Sequence, residues 1–374
     1  MIFDGASNSF QVYETEAEIS PEVLPMVKEG QCPTLDSLRE TPIYGWTSAR
    51  FLLDREITEE TMFINGWFCG SLLKAEKKVP SKLLKSIVKL SEYQFMQDQK
   101  LSSINKQQHA EIKAHVHEEL LQQMPPTLTN LDVATDCKRK RVFAECRGPK
   151  QKDAFEAAYT HTTQAKLVPM IPELLAFKRA GISYDSLGAV TFSPDASASP
   201  DKSGLGLDFL TWLLFRSETK DHTFRITNGS HDPNISYALA FADPITFLNN
   251  EGSGSYETSL RKGTPILSSE AKTALMSGKK LARANIAFVL DENHQWSASI
   301  DAQTFAFRSV KVPRAEEGTD ERGRLVEKLE QFSFFVDAFY SLFDEFLEIL
   351  KDEAVWEQTI QEMQSWIEAR TSLA

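Results

Sequence analysis

The chain has 374 residues, 41% of them apolar and 25% charged, with 41 Lys and Arg against 53 Asp and Glu and a net charge of −12. This is the composition of an ordinary globular protein with room for two or three domains and a sizeable core, and it excludes wholesale disorder. A uniformly acidic surface repels phosphate, so nucleic-acid binding is open to this chain only if its charge is sorted.

The charge is sorted. Residues 1–73 sum to −8, residues 153–314 to −1 and residues 315–374 to −10, whereas residues 74–152 carry 16 Lys and Arg against 9 Asp and Glu, a local balance of +7. The start, Met1-Ile-Phe-Asp-Gly-Ala6, has no basic region followed by an apolar run, which argues against secretion. The apolar run Phe209–Phe215 is too short to span a bilayer. A cytoplasmic location follows as the expectation. The four cysteines, Cys32, Cys69, Cys137 and Cys146, have no Cys-x-x-Cys spacing, so reduced thiols and no metal site are expected.

In chain order, residues 9–15 and 61–74 read as strands, the second holding the turn signal Asn65-Gly66. Trp46, Trp67 and Phe68 lie in apolar settings and read as core. After Val79-Pro80-Ser81 a helix over 80–98 places Leu83, Leu84, Ile87, Val88 and Leu90 on an apolar stripe, with Lys82, Lys85 and Lys89 on the other side. A second helix covers 106–122, with Ile112, Val116 and Leu120 inward, and stops before Pro125-Pro126. Strands 131–135 and 142–146 flank the turn Asp136-Cys-Lys-Arg-Lys-Arg141, a helix follows over 149–163, and 166–171 is another strand.

These elements, with several side chains, resemble the family of the bacterial recombination-associated protein RdgC. The matching residues are Tyr13 in Ser9-Phe-Gln-Val-Tyr13, Gly45-Trp46, Asn65-Gly66, Lys77-Lys-Val-Pro80, Glu119-Leu-Leu121, the hairpin and Leu167-Val-Pro-Met-Ile-Pro172. Downstream, Leu267-Ser-Ser-Glu270 and Gly278-Lys279 match as well. The resemblance implies a ring-forming homodimer that encloses double-stranded DNA without reading its sequence. It also implies a nucleoid-associated role in recombination and replication, no catalytic residues, and a RecA-like recombinase as a partner whose strand exchange is restrained. The chain departs from the family by extra residues between about 195 and 262 and by its basic hairpin turn, so Lys138, Arg139, Lys140 and Arg141 rest on charge alone.

The Ser- and Pro-rich stretch 193–206 reads as a linker and the clearest domain boundary. Residues 207–215 read as a buried helix, followed by strands near 223–227, 235–242, 245–249 and 255–260. Ser268-Ser269-Glu270 opens a helix closed by Gly278. On the strand after it, Lys279 and Arg283 point one way and Lys280 the other. Leu325, Leu329, Phe332, Val336, Phe339, Phe343, Phe346 and Leu350 form a heptad seam, widened by Phe335, Tyr340, Leu342 and Leu347 into a face that fits a helix packed into its own domain better than a dimer zipper. A last amphipathic helix covers 353–369.

The reading is therefore an α+β protein of mixed antiparallel sheets and long helices. It divides into an N-terminal α+β region (1–78), a basic helix-helix-hairpin-helix region (79–172), a linker (173–206), a second α+β region (207–314) and acidic C-terminal helices (315–374). The expected DNA contacts are Lys77, Lys78, Lys82, Lys85, Lys89, Lys138, Arg139, Lys140 and Arg141, with Arg261, Lys262, Lys279, Lys280 and Arg283 as a second cluster. No catalytic residue, metal or cofactor is expected. Asp243 with Glu270-Ala-Lys272 has the loose form of a magnesium nuclease set, but Glu270 in a first helical turn favours the dipole anyway. His115 and His117, two apart on a helix, cannot ligate one ion, and His109 and His161 show no partners. Ser203-Gly-Leu-Gly-Leu-Asp208 lacks the Gly-Lys-Ser/Thr of a nucleotide loop. The rival is an assembly protein whose lysine-rich helices meet the acidic 315–374 segment of a neighbouring subunit.

Overall fold

The computed structural model describes the chain apart from residues 1, 39–40, 146–147, 196–197, 199, 203, 220–221, 230, 250–255, 264–267, 316–317 and 371–374. Cys146, Ser203, Leu267 and parts of 193–206 thus lie outside the described residues. The chain opens with β1 (Asn8–Thr15), α1 (Leu24–Glu29), β2 (Ile43–Thr47), α2 (Glu59–Met62), β3 (Phe63–Ile64) and β4 (Trp67–Glu76). Two helices follow, α3 (Ser81–Asp98) and α4 (Lys106–Gln123), then β5 (Thr127–Asp136), β6 (Arg141–Ala144), α5 (Pro149–Thr163), β7 (Leu167–Pro169) and α6 (Pro172–Ala180). Next come α7 (Leu205–Thr219), β8 (Thr223–Arg225), β9 (Ser236–Leu248), β10 (Glu257–Leu260) and α8 (Ser269–Met276). The chain finishes with β11 (Lys280–Val289), β12 (Gln295–Asp301), β13 (Phe307–Lys311), α9 (Glu321–Leu350) and α10 (Glu353–Ala369).

All these strands join one sheet in the order β10-β9-β11-β12-β13-β1-β6-β5-β4-β2, with β3 on β4, β7 on β1 and β8 on β9. Every ladder between them is antiparallel. The fold is α+β. β1 is the joint. Its first residues pair with β13 (Asn8↔Val310, Phe10↔Phe307), and after a register shift Gln11–Glu14 pair with β6.

Around this joint the sheet is covered on both faces, which the two-residue period of a strand makes visible. Val12, Trp67, Ala134 and Phe143 enter one core, and their chain neighbours Tyr13, Phe68, Val133 and Val142 enter the other. The second core is closed by α5, through Phe155 and Tyr159, and by Trp46, whose indole donates to Thr162 Oγ1 at 2.9 Å.

The first core is organised by α9. Phe332 packs on Phe10 at 4.9 Å between ring centroids, Phe335 on Phe288 at 4.8 Å, Phe339 on Phe307 at 5.4 Å and Phe343 on Phe209 at 5.0 Å. The heptad seam is thus buried within its own chain, from Leu325 to Phe346. The widening residues Phe335, Tyr340, Leu342 and Leu347 are buried as well. α7 is buried on nearly all sides, as its Leu- and Phe-rich stretch requires.

Four expectations change. Residues 193–206 are not a boundary: Ser193 and Asp201 are buried, and the first core takes residues from Ile2 to Ile367. Residues 235–249 hold one long strand, β9, bent at a cis Asp243-Pro244 bond, and the expected strand at 61–74 begins as α2. The apolar stripe of α3 is largely uncovered. Leu83 and Leu90 are 36% and 52% exposed, and Val88 is the buried residue of this helix. The main packing partner of α3 is α4, so the two helices form an arm outside both cores.

Gly206 shows how closely α7 docks: a Cβ there would lie 1.8 Å from the Ala302 carbonyl oxygen and 2.7 Å from Pro172. Backbone cannot yield as a side chain can. Gly206→Ala is expected to lose at least ~3 kcal/mol of stability, read as a lowered midpoint in urea denaturation; an unchanged midpoint contradicts this packing.

Candidate nucleic-acid interface

The arm carries the least compensated positive charge. Lys82, Lys85 and Lys89 are spaced by three and four residues, which sets them on one helix face over roughly 10 Å. All three are exposed, and none forms an ion pair among the described residues. No acidic residue stands between Glu76 and Glu92. At the base, Lys77 Nζ donates to the Gln122 carbonyl at 3.1 Å, tying α3 to the end of α4. Lys74, at 2.7 Å, and Lys78 pair with Glu76 and hold its carboxyl below the usual range. His109, expected to stand alone, bonds Glu92 and joins the two helices.

The hairpin turn is different. Arg139 reaches Asp136 at 3.0 Å and Glu330 at 3.1 Å, and Arg141 reaches Asp337 at 2.7 Å. Lys140 takes a left-handed backbone and donates to the Glu16 carbonyl at 3.3 Å, and it and Lys138 are the turn's exposed cations without an ion pair among the described residues. The four residues do not make one patch, because α9 presents its acids directly to the two arginines. Burial alone would raise the Asp337 carboxyl, but the hydrogen bond from His231 and the Arg141 charge outweigh it and hold it below the usual range.

This pairing extends along α9. Arg179 binds Asp344, and Arg216 binds Glu345 at 2.8 Å. Much of the charge segregation seen along the sequence is therefore settled inside one chain.

The second cluster also divides. Lys280 is 1% exposed, with its ammonium 2.7 Å from Asp201, 2.8 Å from Asp208 and 5.5 Å from the Phe192 ring centre. It faces the core, not solvent, so it is withdrawn as a phosphate contact. Strand alternation separated Lys280 from Lys279 and Arg283; its partners Asp201 and Asp208 lie in the expected linker and in the first turn of α7 behind it. Lys279 donates to Thr258 Oγ1 at 2.7 Å, and Arg283 lies 3.4 Å from Asp301. Arg261 and Lys262 are exposed.

The arm follows β4, whereas Arg261 and Lys262 follow β10 and Arg283 lies on β11, so six to eight strand spacings of ~4.8 Å separate their sheet positions. They do not meet on one chain.

Other chemistry finds little footing. Glu270 is fully exposed at the start of α8, Lys272 donates to the Glu368 carbonyl at 3.1 Å, and Asp243 accepts from the Lys262 backbone at 2.8 Å. Among the described residues no group of three or more His, Cys, Asp or Glu could hold a metal ion. His115 sits 3.4 Å from Glu119 on α4. Among the described residues no helix is long and apolar enough to cross a membrane. No protein-family model matches the chain, and no curated protein matches it.

The buried triad gives a pH test. Burial pushes the Asp208 carboxyl up to about 6, while the charges of Asp208 and Asp201 hold Lys280 above its ordinary range against its own burial. A carboxyl raised above its unfolded value of ~3.9 favours folding below that value, and the contribution is lost as pH rises through about 6. Urea denaturation should therefore show the stability of Asp208→Asn, relative to the parent, rising between those values and level above them. Lys280→Met strands two carboxylates and should lose ~3–5 kcal/mol; equal loss in both variants contradicts the assignment.

Proposed function

We propose that the protein binds double-stranded DNA without sequence preference and without catalysis, as a homodimer that encloses the duplex. Its role would be that of an RdgC-like, nucleoid-associated factor in recombination and replication that restrains a RecA-like recombinase. The observation that supports this reading best is the row Lys82, Lys85 and Lys89, three exposed and unpaired cations on an arm that serves neither core. Free lysines release counterions from phosphates, whereas cations already paired with carboxylates have little left to give.

The expected contact set is smaller than charge alone suggested. Lys77, Lys78, Lys82, Lys85, Lys89, Lys138, Lys140, Arg261, Lys262, Lys279 and Arg283 remain at or near the surface; Arg139, Arg141 and Lys280 leave it, held by Glu330, Asp337 and Asp201 with Asp208. The arm and the 261–283 cluster lie apart on one chain, so a continuous path needs the second copy. Acid on the remaining surface confines the duplex to that path.

The assembly reading keeps one observation in its favour: the arm exposes Leu83, Leu90, Tyr93 and Leu101, an apolar surface of the kind protein partners cover. DNA binding measured by gel shift over rising salt separates the two. The parent should bind at low salt and fade steeply, and Lys82→Ala/Lys85→Ala/Lys89→Ala should weaken binding and reduce the slope of log affinity against log salt by ~2.7. No shift of the parent at low salt leaves the assembly reading standing, and an unchanged slope in the triple variant removes the arm from the mechanism.

A further inference from the structure

β1 and β13 pair as far as Asn8↔Val310, and beyond that point the two chains part. Residues 2–6 go one way, residues 311–315 the other, and the first turns of α9 lie beneath. The wedge between them is a cavity of about 790 Å³, within the usual range for small-molecule sites. Its apolar lining includes Val310, Val312, Pro313 and Leu325, and Arg314, which follows β13, and Arg324, on α9, line it too.

Two features of its charge point to an anion. Arg314 and Arg324 are exposed and have no ion pair among the described residues. Deeper in, Lys328 is half-buried and donates to the Phe3 and Gly5 carbonyls at 2.6 and 2.7 Å. Among the described residues it too has no ion pair, and burial lowers its pKa from the ordinary lysine value. Neutral carbonyls position the ammonium, and Asp4 is the acid whose charge acts on it, without outweighing its burial. Asp4, Glu321 and Glu327 also line the cavity, and Glu321 and Glu327 stand three residues either side of Arg324 on α9, so a ligand carboxylate competes with them for that guanidinium.

We propose that this cavity binds a small organic anion, its apolar body against Val312, Pro313 and Leu325 and its carboxylate held by Arg314 and Arg324. The guanidinium forks suit a planar carboxylate, and the partly apolar wall gives the body of the ligand a surface that free phosphate does not use. The site does not rest on DNA binding, since none of the residues proposed for DNA lines it.

The test is calorimetric titration of the full chain with 4-phenylbutyrate, 4-phenylbutan-1-ol, benzyl phosphate and inorganic phosphate. The carboxylate should bind saturably at one site and the alcohol, with the same body and no charge, far more weakly. Arg314→Ala/Arg324→Ala removes two exposed side chains, so the fold should survive, and carboxylate affinity should fall ~10-fold or more. Because Trp296 donates to the cavity-lining Gln331 at 2.7 Å, its indole N–H resonance, assigned with Trp296→Phe, should move on binding. Stronger binding of benzyl phosphate than of the carboxylate, with the same loss in the double variant, keeps the site and changes the head group. The proposal is overturned if no anion binds, if the alcohol or inorganic phosphate binds as well as the carboxylate, or if the double variant binds unchanged.

Discussion

The structure depends on the burial of the aromatic face of α9 against the inner face of a single antiparallel sheet. Phe332 touches the half of the sheet that begins at β1, Phe335 and Phe339 touch the half that ends at β13, and Phe343 meets Phe209 of α7. Each buried ring stabilises the fold by ~1.5–3 kcal/mol relative to exposure. A helix spending its apolar face on both halves of a sheet leaves no place between them where the chain can be divided. The stretch 193–206 looks like a linker by composition, yet its described residues Ser193 and Asp201 are buried: α7 behind it is wedged between α9 and β11, and Asp201 closes on Lys280.

The same helix governs electrostatics. It carries Glu330, Asp344, Glu345 and the buried Asp337, and each meets an arginine from elsewhere in the same chain. Ion pairs of this kind, partly shielded from water, are worth little as net stability, but breaking one strands a charge. They orient the hairpin turn and α6 on α9. They also draw Arg139, Arg141, Arg179 and Arg216 into the fold, while Arg225, Arg261, Arg308, Arg314 and Arg324 stay exposed, as do the lysines of the arm.

Local patterns were legible in the sequence where one physical signal dominated. The 149–163 and 353–369 helices, the Asn65-Gly66 turn and the buried face of the heptad seam were all readable, because capping, turn chemistry and periodicity are local. What escaped was non-local. A lysine on a strand looks the same whether it meets water or, as Lys280 does, two aspartates brought from some 70 and 80 residues away. Arg139 and Arg141 looked like a phosphate-binding turn because their partners Glu330 and Asp337 lie nearly two hundred residues downstream. The α3 stripe misled in the other direction: helical spacing reported an apolar face, and nothing in the sequence said that the face has only another short helix to cover it.

That last feature shapes how the arm can act. With Val88, Val116 and Leu121 as its buried residues, it draws little from either core and is held by its turns, the Asn105 cap, the His109–Glu92 contact and the Lys77 tie at its base. Segments held this way sit at the low end of local stability. Three like charges on one of its faces lower that stability further through repulsion. An anionic partner that neutralises the row would relieve this repulsion and favour the ordered arm by mass action. Arm order and the proposed anion binding would therefore be coupled, and the coupling would weaken with salt, which screens the repulsion and the attraction alike.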